Sequence, residues 1–152
     1  MAYYVFDSSA LGKHYHAEIG TAFVDALLQE PGAHHFISRL TVVELHSVFA
    51  GKVRTGVITA AAFQLLRVQL HNDIGRRLVR VLRMTEAHYH DAEGLLRRYG
   101  LTRQLRTLDA LQLAVALDLR SRGMCDHFVC ADQRLGEVAQ QEGVPLRNPE
   151  QP

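Results

Sequence analysis

The sequence predicts an α/β fold, a three-layer α/β/α sandwich around a central parallel sheet of four or five strands. Three observations point to it. Tyr3-Tyr-Val-Phe6 is a short unbroken apolar run of the kind that fills a strand covered on both faces. Further apolar runs alternate with stretches of helical spacing, and that alternation gives parallel sheets. The first run ends in Asp7 followed by Ser8 and Ser9, which places a carboxylate at the carboxyl end of a central strand, where open α/β sheets take their ligands.

After a first turn, Ile19, Ala22, Phe23, Ala26 and Leu27 have the spacing of one helix face, and Pro31-Gly32 ends that helix. His34 to Ser38 reads as the second strand. Thr41-Val-Val-Glu44 opens a helix with Leu45, Val48 and Phe49 inward, and Gly51 and Gly56 loosen its end. Thr59 through about Gly75 is an amphipathic helix with Ala62, Phe63, Leu66 and Leu70 on its stripe, so the two form a helical hairpin. Leu78 to Met84 is a third strand interrupted by Arg80 and Arg83. Thr85 caps the next helix, with Ala92, Leu95, Leu96 and Tyr99 on one side and Gly100 as its stop. Thr107 to Leu119 is apolar almost all round, as a helix packed between the sheet and other elements must be. His127 to Ala131 is a fourth strand, Asp132 to Glu142 a last helix, and Val144 to Leu146 a short edge strand limited by Pro145.

The 152 residues, 47% of them hydrophobic, suffice for one domain over 1–152 with its own core. No apolar run reaches the roughly 20 residues that span a bilayer, and the start lacks a basic segment leading into a long apolar one. A cytoplasmic protein is the expectation. Cys125 and Cys130 lack the spacing of a redox or zinc half-site and read as reduced core thiols. Net charge is +1, so any basic surface must be local; 15 of the 17 basic residues are Arg, which suits phosphate contact and equally reflects composition bias.

Four acids occupy equivalent places in the expected architecture. Asp7 and Asp132 each follow a strand directly, while Glu44 and Asp109 lie in the first turns of helices that start near the same sheet edge. Gathered within a few ångströms, carboxylates repel by several kcal/mol at an effective dielectric of about 20, so such a cluster recruits a cation or keeps protons. A hard divalent ion that keeps waters and is shared with phosphate oxygens suits this donor set, and the chemistry it favours is phosphoryl transfer. Each acid also has a local explanation. Asp132 can cap the last helix, Asp7 can cap the short helical turn that follows it, and Thr41 with Glu44 has capping-box spacing. Asp109 is hardest to explain as a cap, because Thr107 offers one already and its neighbours are apolar. Ser8 and Thr107 can hydrogen-bond bound water or neighbouring carboxylates.

His14-Tyr-His16 and His88-Tyr-His90 do not place two imidazoles on one helix face, and they read as surface residues rather than metal ligands. His46 points away from Glu44. Arg106 and Arg134 flank the acidic motifs and are candidate RNA-phosphate contacts, with solvated charges as the plain alternative.

Asp-Ser-Ser-Ala-Leu at 7–11, Thr-Val-Val-Glu-Leu at 41–45, Leu-Arg-Thr-Leu-Asp-Ala-Leu-Gln-Leu-Ala at 105–114 and Phe-Val-Cys-Ala-Asp-Gln-Arg-Leu at 128–135 resemble, in order, the motifs of PIN domains. Size and order are most similar to the VapC-type ribonuclease toxins of type II toxin–antitoxin pairs, and Leu-Arg-Asn-Pro near the end resembles the last strand and tail of that group. Residues 54–84 carry no diagnostic motif. The resemblance implies an endoribonuclease dependent on Mg²⁺ or Mn²⁺, with Asp7, Glu44, Asp109 and Asp132 as the catalytic acids and Asp7 and Asp109 as the principal metal ligands. It also implies an RNA substrate, a homodimer and a cognate antitoxin protein that obstructs the site. Two other classes compete: a PIN-like module that binds RNA or protein without cutting, and an aspartyl-phosphate or receiver-like domain using Asp7. The second lacks an additional nearby Asp and a clear partner Lys.

Overall fold

The computed structural model describes residues 1–152. Twelve elements follow in the order β1 (Tyr3–Phe6), α1 (Ser8–Tyr15), α2 (Thr21–Leu28), β2 (His34–Ser38), α3 (Arg39–Arg54), α4 (Ala60–Gly75), β3 (Arg80–Leu82), α5 (Glu86–Tyr99), α6 (Thr107–Ser121), β4 (His127–Val129), α7 (Gln133–Gln141) and β5 (Leu146–Arg147). The five strands form one sheet in the order β3-β2-β1-β4-β5, and every pairing is parallel. The chain builds outward from β1 to β2 and β3, then returns to its other side for β4 and β5. The reversal leaves a crevice beside the carboxyl end of β1, the place where doubly wound sheets bind ligands.

Alternation along β1 divides the core in two, because successive strand side chains point to opposite faces. Tyr4 and Phe6 join Ile37, Val129 and the inward residues of α1 to α4 in one buried cluster. Val5 joins Phe36 and Phe128 against α5, α6 and α7 in the other. Burial on both faces explains the unbroken apolar character of the strands. Helix α6 buries eight side chains, Gln112 among them.

Several boundaries differ from the sequence expectation. Helix α1 is a full two turns where only a turn was expected, and it exists because Asp7 caps it by accepting from Ala10 N–H at 3.0 Å. Ile19 lies outside α2 and is exposed; the buried face of that helix is Val24, Leu27 and Leu28. Helix α3 starts at Arg39 with Ser38 as its cap, so Thr41 and Glu44 are not a capping box and Glu44 lies beyond the first turn. Thr107 is the first residue of α6 rather than its cap. Arg106 occupies the cap position, and the Asp109 carboxylate reaches back to accept from its backbone N–H at 3.2 Å. Strands β3, β4 and β5 are shorter than expected.

The two histidine pairs are not wholly on the surface. His88 is buried, accepting from Thr85 N–H at 3.0 Å through Nδ1 and meeting Asp118 at 2.8 Å through Nε2. His14 sits between Asp25 at 2.6 Å and Asp73 at 3.5 Å, tying α1 to α2 and α4. His90 is exposed as expected. Both cysteines are free and buried. The last residues fold back over α1: buried Lys13 pairs with Glu150 at 2.7 Å, and Pro149 packs so closely on Gly20 that a Cβ there would lie 2.8 Å from its carbonyl oxygen.

Candidate active site

One cavity of about 280 Å³ opens at the carboxyl edge of the sheet, and Asp7, Glu44, Asp109 and Asp132 all line it, with Ser8, Ser9, Lys52 and Arg106. Each acid arrives from a different element. Asp7 ends β1, Glu44 projects from the second turn of α3, Asp109 from the first turn of α6, and Asp132 caps α7 by accepting from Leu135 N–H at 3.2 Å. Thr107 lines an adjoining cavity of about 430 Å³ with Glu44, Arg106 and Asp109. Arg134 faces a separate shallow cavity beside Asp132.

Asp7 is only 3% exposed, and its environment is built for a carboxylate. Oδ1 accepts from Ala10 N–H and from the Ser9 hydroxyl at 2.7 Å, and Oδ2 accepts from the Cys130 thiol at 3.2 Å. Burial nevertheless outweighs these donors and, with the charge of Glu44 added, pushes the Asp7 carboxyl up to about 6. The Cys130 thiol is held well above its ordinary range by burial and by Asp7, so it remains a donor. Burial, reinforced by Asp132, also raises Asp109, against which the Arg106 backbone and guanidinium pull down. Arg106 Nε lies 3.7 Å from Asp109 Oδ2 but is largely exposed.

Ser9 does what the sequence suggested for Ser8. Besides donating to Asp7, its oxygen accepts from Ala131 N–H at 3.0 Å and Asp132 N–H at 3.3 Å, tying the end of β1 to the segment after β4. Ser8 lines the cavity without touching a carboxylate side chain. Adjacent serines cannot be told apart by spacing; which one faces the β4 loop depends on how α1 leaves the sheet. Two further groups carried no assignment in the sequence. Lys52 stands two turns beyond Glu44 on α3 and meets His16 Nδ1 at 3.5 Å rather than an acid. Gln112, one turn beyond Asp109, donates to Glu44 Oε1 at 2.6 Å. A lone amide in an otherwise apolar helix was the available signal.

Converging carboxylates with raised or uncompensated charge fit a hard divalent ion. No three His, Cys, Asp or Glu side chains stand close enough together to form a ready ligand set. The donors lining the cavity are carboxylate oxygens, the chemistry of a hard divalent cation rather than a soft one.

The chain belongs to the PIN domain family, whose pattern matches residues 4–140. Among solved structures it is similar to FitAcB from Neisseria gonorrhoeae, with a TM-score of 0.64 and 17% identity over 98% of this chain and 99% of that one. It is also similar to VapC20 of Mycobacterium tuberculosis, a toxin that cleaves the Sarcin-Ricin loop, with a TM-score of 0.65 and 17% identity over 89% of this chain and 94% of that one. VapBC2 from Rickettsia felis, bound to a DNA fragment from its promoter, matches with a TM-score of 0.64 and 12% identity over 95% and 97% of the two chains. No curated protein matches the sequence. At these identities the structural likenesses establish the fold.

Proposed function

We propose that this chain, acting as one domain over residues 1–152, is a divalent-metal-dependent endoribonuclease and the toxin of a toxin–antitoxin pair in the cytoplasm. The observation that carries this reading is the convergence of Asp7, Glu44, Asp109 and Asp132, from four elements, on one cavity at the switch point of a PIN-domain sheet. The resemblance to a toxin described as cleaving the Sarcin-Ricin loop supports RNA as the substrate. When bound, Mg²⁺ or Mn²⁺ supplies charge neutralisation at phosphate and activation of water.

In this reading Asp7 and Asp109 hold the ion, and Glu44 and Asp132 present carboxylate oxygens across the cavity to orient water and take its proton. Ser9 and Cys130 hold the Asp7 carboxylate in one rotamer by occupying its inner lone pairs. Ser8 and Thr107 edge the site, where their hydroxyls can reach bound water. Lys52 and Arg106 supply positive charge at the rim for the phosphates on either side of the scissile bond, and Arg134 extends that charge past Asp132.

Partners are proposed on the same footing. A toxin–antitoxin complex from Klebsiella pneumoniae is among the similar structures, with a TM-score of 0.60, which supports a cognate antitoxin protein. A homodimer is proposed through the groove of Leu40, Val43, Met84, Tyr89 and Leu111, which Arg39 and Arg83 also line and where Val43 remains 59% exposed. No helix is long and apolar enough to cross a membrane.

Purified chain, free of any partner, is incubated with a pool of structured RNAs and Mg²⁺ or Mn²⁺, beside EDTA and Asp109→Asn controls. Metal-dependent cutting lost in the variant is the expected result. Folded protein that binds the RNAs but leaves them intact in both metals would instead mark a binding module, and equal cutting by both proteins would overturn the site.

A further inference from the structure

Glu44 reaches the cavity on a side chain with three rotatable bonds, from a half-buried position, toward the anionic pocket of Asp7. Repulsion and the side chain's own rotamer freedom both favour swinging it outward. Its carboxylate forms no ion pair, and a single hydrogen bond opposes the outward rotamer: Gln112 Nε2 donates to Oε1 at 2.6 Å.

The Gln112 amide is itself immobilised. A carboxylate only accepts, so the NH₂ end of the amide must face Glu44, which fixes the orientation of the group. The carbonyl end then accepts from the Ser38 hydroxyl at 3.0 Å and the Thr41 hydroxyl at 3.2 Å, while Nε2 also reaches Thr41 Oγ1 at 2.9 Å. Ser38 caps α3 and Thr41 sits in its first turn, so both braces belong to the helix that carries Glu44. Gln112 is 4% exposed, and its amide spends its hydrogen bonds on α3 and the residue that caps it. Gln112 follows Asp109 by three residues, one turn of α6, so one helix supplies an acid of the cavity and the group that aims another.

We infer that Gln112 is a positioning residue: through the Ser38–Thr41–Gln112–Glu44 hydrogen-bond network it holds the Glu44 carboxylate in the cavity, within reach of a bound divalent ion and its waters. The inference rests on the metal-nuclease reading of the cavity. Burying an amide costs free energy unless its groups are paired, and here both its carbonyl and its NH₂ group are. Removing a group that orients a metal-site residue typically costs about 10- to 100-fold in metal affinity or activity.

The test compares Gln112→Met, which keeps length and unbranched shape but loses the donor, with Leu113→Ala, which opens the core of the same helix without touching the network. Mn²⁺ affinity is measured calorimetrically on RNA-free protein, together with kcat and KM for RNA cleavage and thermal melts. Gln112→Met is expected to weaken Mn²⁺ binding and lower kcat by about tenfold, with KM for RNA changed less than about twofold. Leu113→Ala should melt earlier than Gln112→Met and keep the wild-type Mn²⁺ affinity. If Gln112→Met fails to fold, Thr41→Val, which loosens the amide without removing it, should weaken Mn²⁺ binding in the same direction. Wild-type Mn²⁺ affinity and kcat in a folded Gln112→Met, or in Thr41→Val should the first not fold, overturn the positioning role and leave the nuclease reading standing. Wild-type protein that neither binds Mn²⁺ nor cuts RNA overturns both.

Discussion

Asp7 pays for its position in stability. With its folded pKa raised from 3.8 to about 6, the native state binds more protons than the unfolded chain between those values. The contribution of this group is therefore fully present below about pH 4 and is lost as pH rises through about 6, a difference on the order of 3 kcal/mol in metal-free protein. Asp7→Asn removes the buried charge while keeping an acceptor for Ala10 N–H and Ser9. In EDTA the variant should melt several degrees above wild type at pH 8 and close to it at pH 4, and it should have no nuclease activity. An Asn variant that melts below wild type at pH 8 would show that the charge is stabilised by donors other than those described. Asp132 separates differently: Asn caps a helix as well as Asp does, so Asp132→Asn should keep the melting temperature within a degree or two and lose cleavage if the carboxylate acts chemically. Unchanged cleavage would reduce Asp132 to a cap. At this scale the sequence was legible where a residue's role is set by its neighbours in the chain, as with the Asp7 and Asp132 caps. It was not legible for Ser9, Cys130 or Gln112, whose partners come from remote segments.

Among the elements, α6 carries both chemistry and core. Its first turn delivers Asp109, its next turn Gln112, and its middle, through Ala116 and Leu119, is buried in the core. Truncating fully buried Leu113 to Ala should cost about 2–5 kcal/mol in denaturant titrations, from lost transfer energy plus the cavity left behind. A cost below about 1 kcal/mol would mean that the layer collapses onto the gap. Ser38 joins two jobs, capping α3 and bracing Gln112, so Ser38→Ala should exceed the roughly 1 kcal/mol of an ordinary cap loss. Periodicity located most of the helices, and the strands by their apolar runs. The start of α3 was misplaced because Thr41 and Glu44 imitate a capping box, while the true cap, Ser38, lies within what reads as the end of a strand. The face of α2 was misread because Ile19, apolar but exposed, looked like its first inward residue.

For the whole molecule, the sheet order sets where the acids meet, and an ion held there, as proposed, should report on folding. An ion that binds the native state alone adds RT ln(1 + [M]/Kd), about 2.7 kcal/mol at 100 times Kd, so Mn²⁺ should raise the melting temperature at pH 8. At pH 5, where protons occupy Asp7, the shift should shrink. A metal shift equal at both pH values, or one that survives in Asp7→Asn, would place the ion elsewhere. The sequence by itself determined the parallel α/β architecture, the helix and strand order and the four acids, because apolar periodicity and turn chemistry are local properties. Only the tertiary structure decided that these acids share one cavity, that Ser9 rather than Ser8 braces Asp7, and that Gln112 aims Glu44. Those facts depend on distances between segments as much as 123 residues apart, which chain spacing does not encode and the packing of helices on a twisted sheet does.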